Sequence, residues 1–290
     1  MLNLHSLLNA VVQISQQAGL AIMTIYAQPE QWQLQHKEDK SPLTAADLAS
    51  HHLIVEKLQA LTPDIPVLSE ESDDDYDRQQ WSRLWLVDPL DGTKEFVART
   101  NDFTVNIALV VDHQAVLGIL HAPYYGLTYM AAKGCGAWLI DQHGQKQRLT
   151  TAKQLTPPRL LVSRFHANGK KNQALLQHTQ QRFGDYQVLE VGSALKMCRI
   201  AEGLADFYPR FGTTMEWDTA AGQIILEEAG GALVDRQGRP FLYNKRESLA
   251  NKDFIVVGDK AYVDDWLACM QVETTSLPHP NPLPRGEGGA

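Results

Sequence analysis

Residues 85–93 read Trp85-Leu86-Val87-Asp88-Pro89-Leu90-Asp91-Gly92-Thr93. The apolar run predicts a strand that delivers Asp88 to its C-terminal end. Pro89, which has no N–H, is expected to stop the ladder there, and Gly92 permits a tight return. Two carboxylates three residues apart then share one turn. A hard cation such as Mg²⁺ takes about six oxygens at ~2.1 Å, and paired carboxylates with a backbone carbonyl supply part of that set. The Leu90 carbonyl is the candidate, which gives an apolar residue a place inside an acidic loop. The alternative is an ordinary turn in which Asp88 and Asp91 bond nearby amides. The three-residue spacing differs from the DxDxT loop of aspartyl-phosphate phosphatases and argues against a covalent aspartyl nucleophile.

Further acidic signals lie outward from this turn. Val67-Leu68-Ser69 predicts a short strand ending in Glu70 and Glu71. Glu70 is the better ligand candidate, and Glu71 is read as a solvated acid in preference to a support behind it. Asp73, Asp74, Asp75 and Asp77 read as a solvated loop. Glu216-Trp217-Asp218 opens a helix that ends at Gly230-Gly231, with eleven residues between Asp218 and Gly230. Asp218 is expected at the N-cap, where an acid is worth roughly 1 kcal/mol to the helix. Thr44-Ala45-Ala46-Asp47 has the spacing of a capping box, and Asp47 is also a candidate partner for a nucleophile.

Helical periodicity predicts a first helix over residues 3–26 and a second over 44–61. Between residues 84 and 150, alternating apolar runs at 84–87, 103–111, 115–120, 127–131, 137–140 and 147–150 predict an antiparallel meander. From residue 160 strands and helices interleave. Strands are expected at 160–163, 186–190, 205–208, 232–235 and 254–257, with helices near 171–183, from 193, and over 218–229. The expected organisation is an α+β domain over 1–154, an α/β domain over 155–272, and a disordered Pro/Gly-rich tail over 273–290.

The chain has 290 residues, 44% of them hydrophobic, which is ample for a core. Thirty-four acids against 26 lysines and arginines give a net charge of −8. That disfavours a nucleic-acid or anionic-membrane surface, so an anionic ligand must be met by local cations or a bound metal. Apolar runs fall short of the roughly 20 residues of a membrane span, and no signal-peptide pattern opens the chain. A cytoplasmic protein is expected, with peripheral attachment to the inner membrane as the alternative. Cys135, Cys198 and Cys269 are odd in number and form no CxxC pair, so no disulfide framework or structural zinc is expected. None has a phosphate-binding arginine at the spacing of cysteine-based phosphatases. No histidine has the Arg-His-Gly context of histidine phosphatases.

Taken together, these motifs resemble the inositol monophosphatase superfamily, and the resemblance runs from about residue 5 to 260. Within it, the segments SPLTAAD, VLSEES, WLVDPLDGTKEF, FTVNIAL, GSALKMC, YPRFG and WDTAAG are most similar to bacterial 3'(2'),5'-bisphosphate nucleotidases. The resemblance implies a layered αβαβα sandwich and a Mg²⁺-dependent phosphatase using two or three ions, without a covalent intermediate. Carried over, Glu70, Asp88 and the Leu90 carbonyl hold one ion, and Asp88, Asp91 and Asp218 a second. Thr93 and Asp47 orient and deprotonate the attacking water. Glu70, Leu90, Asp91, Gly92, Thr93 and Asp218 line the site of the reacting phosphate. His166, Ser193, Lys196 and Arg210 match positions that hold a 5'-phosphate. The implied substrate is 3'-phosphoadenosine 5'-phosphate, recycled to AMP in sulfur assimilation by a lithium-sensitive monomer or homodimer. On the residues alone, Lys196 also reads as a solvated helix lysine and Ser193 as an N-cap. The competing readings are an inositol or sugar monophosphate substrate, which has no need of Lys196 and Arg210, and an inactive metal- or nucleotide-binding sensor.

Overall fold

The structure is a computed structural model that describes residues 3–37, 42–72, 77–163 and 170–271. The expected acidic loop at 73–75, His166 and the expected tail at 273–290 lie outside the described residues. Helix α1 (Leu4–Tyr26) starts where Asn3 accepts from the Ser6 amide, and a two-residue pair, β1 (Gln35–His36) with β2 (Pro42–Leu43), leads into α2 (Ala45–Leu61). Next come β3 (Val67–Ser69), β4 (Arg83–Asp91), α3 (Thr93–Val97), β5 (Thr104–Val111), β6 (Gln114–Ala122), β7 (Leu127–Ala132), β8 (Ala137–Ile140) and β9 (Lys146–Arg148). These strands form a seven-stranded sheet in the order β3-β4-β5-β6-β7-β8-β9, antiparallel except for the β3–β4 pair. The predicted meander is therefore present, with one parallel strand added at its edge.

The rest of the chain gives β10 (Arg159–Val162), α4 (Lys170–Phe183), β11 (Gln187–Glu190), α5 (Leu195–Ala201) and β12 (Phe207–Arg210). It continues with α6 (Glu216–Ala229), β13 (Ala232–Asp235), β14 (Phe254–Val257) and α7 (Val263–Cys269). Here the sheet is five-stranded and mixed, in the order β11-β10-β12-β14-β13.

Strand alternation sets the layers, because successive side chains leave opposite faces of a sheet. Trp85 and Val87 of β4 join α1 and α2 in one apolar cluster. Leu84 and Leu86 face the other way, into a cluster with α5, α6 and one face of the second sheet. Leu160, Phe207 and Ile255 on the far face of that sheet meet α4 and α7. Two helices, a sheet, two helices, a sheet and two helices are thus stacked in the expected αβαβα order. Among the described residues no helix is long and apolar enough to cross a membrane.

Helix α6 is the central plate, and it is buried around most of its circumference from Thr219 to Leu226, as an internal helix must be. Its small residues let a strand approach. A Cβ on Gly118 of β6 would lie 2.6 Å from the Ala221 carbonyl oxygen and 2.5 Å from Ile224 Cγ2. Gly118→Ala should therefore push α6 away from the sheet, lowering stability by about 1–3 kcal/mol as overpacking does. A fall in the urea midpoint at unchanged m-value is the expected reading.

Candidate active site

Strand β4 does not end at Asp88. It pairs Asp88 with Asn106 and resumes at Asp91 opposite Thr104, so three residues of β4 span two of β5 and the ladder is bulged rather than stopped. Pro89, expected as the terminator, sits inside the bulge, where the missing N–H costs no ladder bond. The Pro89 carbonyl accepts from Ser50 Oγ at 2.7 Å, and the Leu90 amide donates to Asp88 Oδ1 at 3.0 Å. The Leu90 side chain is buried in the outer cluster, and its carbonyl lies 3.2 Å from Thr93 Oγ1, whose one hydrogen it shares with Asp47 Oδ1. Gly92 turns the chain into α3 with φ of +91°, and a Cβ there would lie 3.0 Å from the Asp102 carbonyl. A side chain at 92 meets both a backbone wall and an unfavourable φ.

Glu70, at the end of β3, and Asp218, from α6, converge on Asp88, with carboxylate oxygens of the three within 4.8 Å of one another. Asp218 occupies the third helical position of α6 rather than the N-cap, which is Met215, and accepts the Met215 amide at 2.7 Å. One Asp218 oxygen thus secures the helix start. Asp91 accepts the Ala194 amide at 2.5 Å and Asn106 Nδ2 at 3.4 Å.

Burial, then the charges of Glu70, Asp91 and Asp218, push the Asp88 carboxyl well above its usual range. Burial likewise raises Asp91, against the pull of Lys196. Asp218 is pushed up to about 8 by burial and then by Asp91 and Glu70. Such mutual repulsion among buried oxygens marks a site whose acids are compatible only with protons or cations between them. The donors are carboxylates and one carbonyl, with no thiolate or imidazole, which fits a hard divalent cation.

Lys37 supplies a counter-charge that sequence reasoning missed. Its ammonium lies 2.7 Å from Glu70 Oε1 and 2.6 Å from Glu71 Oε1. Burial opposes the charged form, but the two glutamates outweigh it and raise the Lys37 pKa. The expectation of a solvated Glu71 is corrected here, since its side chain is only 7% exposed, held under the ammonium. The polar run around Lys37 has no periodicity or spacing that could have marked it.

Asp47 is buried and sits in the capping box predicted for α2. Its Oδ2 accepts from the Thr44 amide at 2.7 Å and Thr44 Oγ1 at 2.6 Å, and its Oδ1 accepts from Thr93 Oγ1 at 3.1 Å. Burial raises its pKa to about 6, with those hydrogen bonds opposing.

Opposite the acids, Lys196 is buried at 4% exposure and is no solvated helix lysine. It donates to the Ser193 carbonyl at 2.6 Å and the Val191 carbonyl at 3.3 Å, 5.2 Å above the Tyr208 ring. Burial lowers its pKa to about 8. Ser193 is not the N-cap of α5, a position held by Ala194; it adopts φ of 43° and accepts the Leu195 amide at 3.3 Å. Arg210, at the end of β12, donates Nη2 to the Thr213 carbonyl at 3.1 Å, while its buried Nε has no hydrogen-bond partner. One cavity of about 260 Å³ is lined by Glu70, Asp88, Asp91 and Asp218 as well as by Ser193, Lys196 and Arg210. Leu90, Gly92 and Thr93 line it too.

A profile of the inositol monophosphatase family matches residues 3–272. The chain is 45% identical over 251 residues to the 3'(2'),5'-bisphosphate nucleotidase CysQ of Escherichia coli O6:H1, covering 86% of this chain and 99% of that protein. It is 41% identical over 256 residues to the CysQ of Aggregatibacter actinomycetemcomitans, covering 86% and 92%. The crystal structure of CysQ from Bacteroides thetaiotaomicron matches with a TM-score of 0.78 at 35% identity, covering 90% of this chain and 100% of that one. An IMPase of Thermotoga maritima, at 23% identity and a TM-score of 0.74 over 91% and 96% of the chains, shares the fold.

The raised pKa values of Asp88, Asp91 and Asp218 make stability depend on pH and cation together. Above the unfolded aspartate value and up to the folded one, about 8 for Asp218, the folded state holds more protons than the unfolded chain. Each extra proton then makes stability fall by up to ~1.4 kcal/mol per pH unit as pH rises. In EDTA the protein should melt higher at pH 6 than at pH 8, and a divalent cation, which needs the deprotonated acids, should raise the melting temperature more at pH 8. An EDTA melting temperature that is flat across this range would contradict the linkage.

Proposed function

The chain belongs to the inositol monophosphatase family, and on that premise we propose that it is a metal-dependent 3'(2'),5'-bisphosphate nucleotidase. It cleaves the 3'- or 2'-phosphate of a nucleotide that also carries a 5'-phosphate, converting 3'-phosphoadenosine 5'-phosphate to AMP and phosphate. The observation that carries the reading is the polarity of the cavity, with an acid cluster on one wall and Lys196 and Arg210 on the other. A substrate with one phosphate needs only the first wall.

Glu70, Asp88, Asp91, Asp218 and the Leu90 carbonyl would hold two or three Mg²⁺ ions. Bound there, Mg²⁺ supplies charge neutralisation for the phosphate, acidification of water and stabilisation of the leaving oxygen. The chain's own residues handle the proton. Thr93 Oγ1 donates to Asp47 Oδ1, which leaves its lone pairs for the hydrogen of a water in the cavity. A proton taken by Thr93 passes to Asp47, and the two Thr44 donors hold that carboxylate in line. Asp88 and Asp91 are fixed by backbone amides of Leu90 and Ala194, so the acid wall is organised before substrate enters.

The distal phosphate falls to the opposite wall. Lys196 has three N–H donors, two of which go to carbonyls of the 191–194 turn, leaving one for a phosphate oxygen. The unmet Nε of Arg210 is a second donor suited to an anion. Binding at this end orients the reacting phosphate at the other.

Phosphate release measured across bisphosphate nucleotide, AMP, inositol monophosphate and fructose bisphosphate tests the assignment, and a preference for inositol monophosphate would sink it. Arg210→Ala should lower kcat/KM for the bisphosphate nucleotide by ~1–3 kcal/mol in transition-state binding, and barely alter a single-phosphate substrate. Lys196→Met should weaken both substrates, the bisphosphate more, because it also releases the turn whose Ala194 amide holds Asp91. Equal losses from Arg210→Ala on both substrates would remove the distal phosphate site.

Asp47→Asn should reduce kcat by ~10²–10⁴, the scale of a lost general base, with little change in KM. Steady-state kinetics at saturating Mg²⁺ check this, and a near-normal kcat would exclude Asp47 as the proton acceptor.

A further inference from the structure

A second cavity, of about 380 Å³, opens on the chain between β13 and β14. Arg239, Lys245, Arg246 and Lys252 line it against a single acid, Asp235. In a protein of net charge −8, that is a local reversal of sign. Asp235 is taken by Arg239 at 2.8 Å, and Arg246 reaches the buried Glu216 at 3.5 Å. Lys245 and Lys252 are exposed on the rim. The floor is apolar, formed by Pro240, Phe241 and by Leu242, which is 38% exposed.

The ordinary reading is a solvated surface turn, and the way the segment is held argues against it. Residues 236–253 form no helix or named strand, a length at which irregular chain is usually either disordered or functional. This chain is pinned from beneath. Tyr243 is fully buried and donates its hydroxyl to Gln223 Oε1 of α6 at 2.5 Å. Asn244, equally buried with φ of 53°, donates its amide to Glu216 Oε2 at 2.5 Å. Arg78, reaching across from the first half, donates to Asn244 Oδ1 and to the Arg246 carbonyl, each at 3.1 Å, and to the Glu247 carbonyl. The buried polar groups are spent on fixing the concave shape, which leaves Lys245 and Lys252 facing solvent and Arg246 partly exposed beside Glu216. Phe241 meets Phe254 edge-on at 5.4 Å, and Phe254 lines the catalytic cavity, so this aromatic pair joins the linings of the two cavities.

We propose that this cavity is a second ligand site, distinct from the acid cluster, for a nucleoside polyphosphate. The phosphates lie on Lys245, Lys252 and Arg246, and the base rests on Phe241 and Leu242. Three cations on an apolar floor match an anion of two or three charges joined to a flat ring, and the volume is that of a small-molecule site.

The test titrates the full chain with ADP in EDTA at near-physiological salt, following heat and stoichiometry. One ADP per chain is expected. Lys245→Glu with Lys252→Glu should weaken it by about tenfold or more, with the melting temperature showing that these surface changes leave the fold intact. Arg210→Ala should leave ADP binding unchanged, and pyrophosphate should bind about tenfold more weakly because it has no base. The site is overturned by no ADP binding at millimolar concentration, by binding indifferent to the double substitution, by equal loss in Arg210→Ala, or by pyrophosphate binding as tightly as ADP. No turnover is involved, so failure here leaves the phosphatase reading untouched.

Discussion

Mutual repulsion among Glu70, Asp88, Asp91 and Asp218 is the constraint around which the rest of the molecule is arranged. Burial is the first cause that raises the pKa of the three aspartates, and neighbouring acids raise each of them further. A small scaffold could relax by moving the acids apart. Here they are tied to three rigid elements: Glu70 to the end of β3, Asp88 and Asp91 to either side of the β4 bulge, and Asp218 to the first turn of α6. The unfavourable energy is carried by a sandwich with three apolar clusters, and it becomes affinity once a cation is available.

Placing ligands on separate layers makes the site a product of layer packing. The first sheet supplies one wall of the cavity, α6 in the middle layer supplies Asp218, and β12 of the second sheet ends at Arg210. Close approach between β6 and α6, which requires glycine at 118, helps to seat the helix that carries Asp218. A displaced α6 would loosen the cluster without touching any of its members. The same helix receives Asn244 and Arg246 on Glu216, so the loop at the second cavity and the acid cluster share one support.

Much of this was legible in the sequence because strand alternation and helix periodicity are local signals. The helices from 4 to 26 and 45 to 61, the meander, and the strands at 232–235 and 254–257 all follow from apolar spacing. Three kinds of feature were not legible. Pro89 was read as a strand terminator because its lost N–H is a local fact, whereas the bulge that accommodates it depends on the partner strand. Asp218 was placed at the N-cap, yet Met215 takes that position through a bridge to Ala250 that only the folded chain brings near. Glu71 reads as a solvated acid, Lys196 reads on the residues alone as a solvated lysine although the resemblance gives it a phosphate, and Lys37 carries no signal at all, since nothing in a sequence distinguishes a lysine with buried partners from one without. Helix α7 lay next to the Pro/Gly-rich end and offered only two turns of pattern around Trp266.

Formal charge bears on what the cavity can hold. With the five acids of the lining (Glu70, Asp88, Asp91, Glu95 and Asp218) ionised and Lys94, Lys196 and Arg210 charged, the lining carries a formal charge of −2, and a substrate bearing two phosphates is repelled. Two divalent cations on the proposed ligands would bring the same lining to +2. That change of sign would favour the ions binding ahead of the nucleotide. It also gives Lys196 its second task. By neutralising Asp91 from within the cavity wall while holding the turn that hydrogen-bonds it, Lys196 limits the repulsion of the empty site, so the cluster stays assembled until a cation arrives.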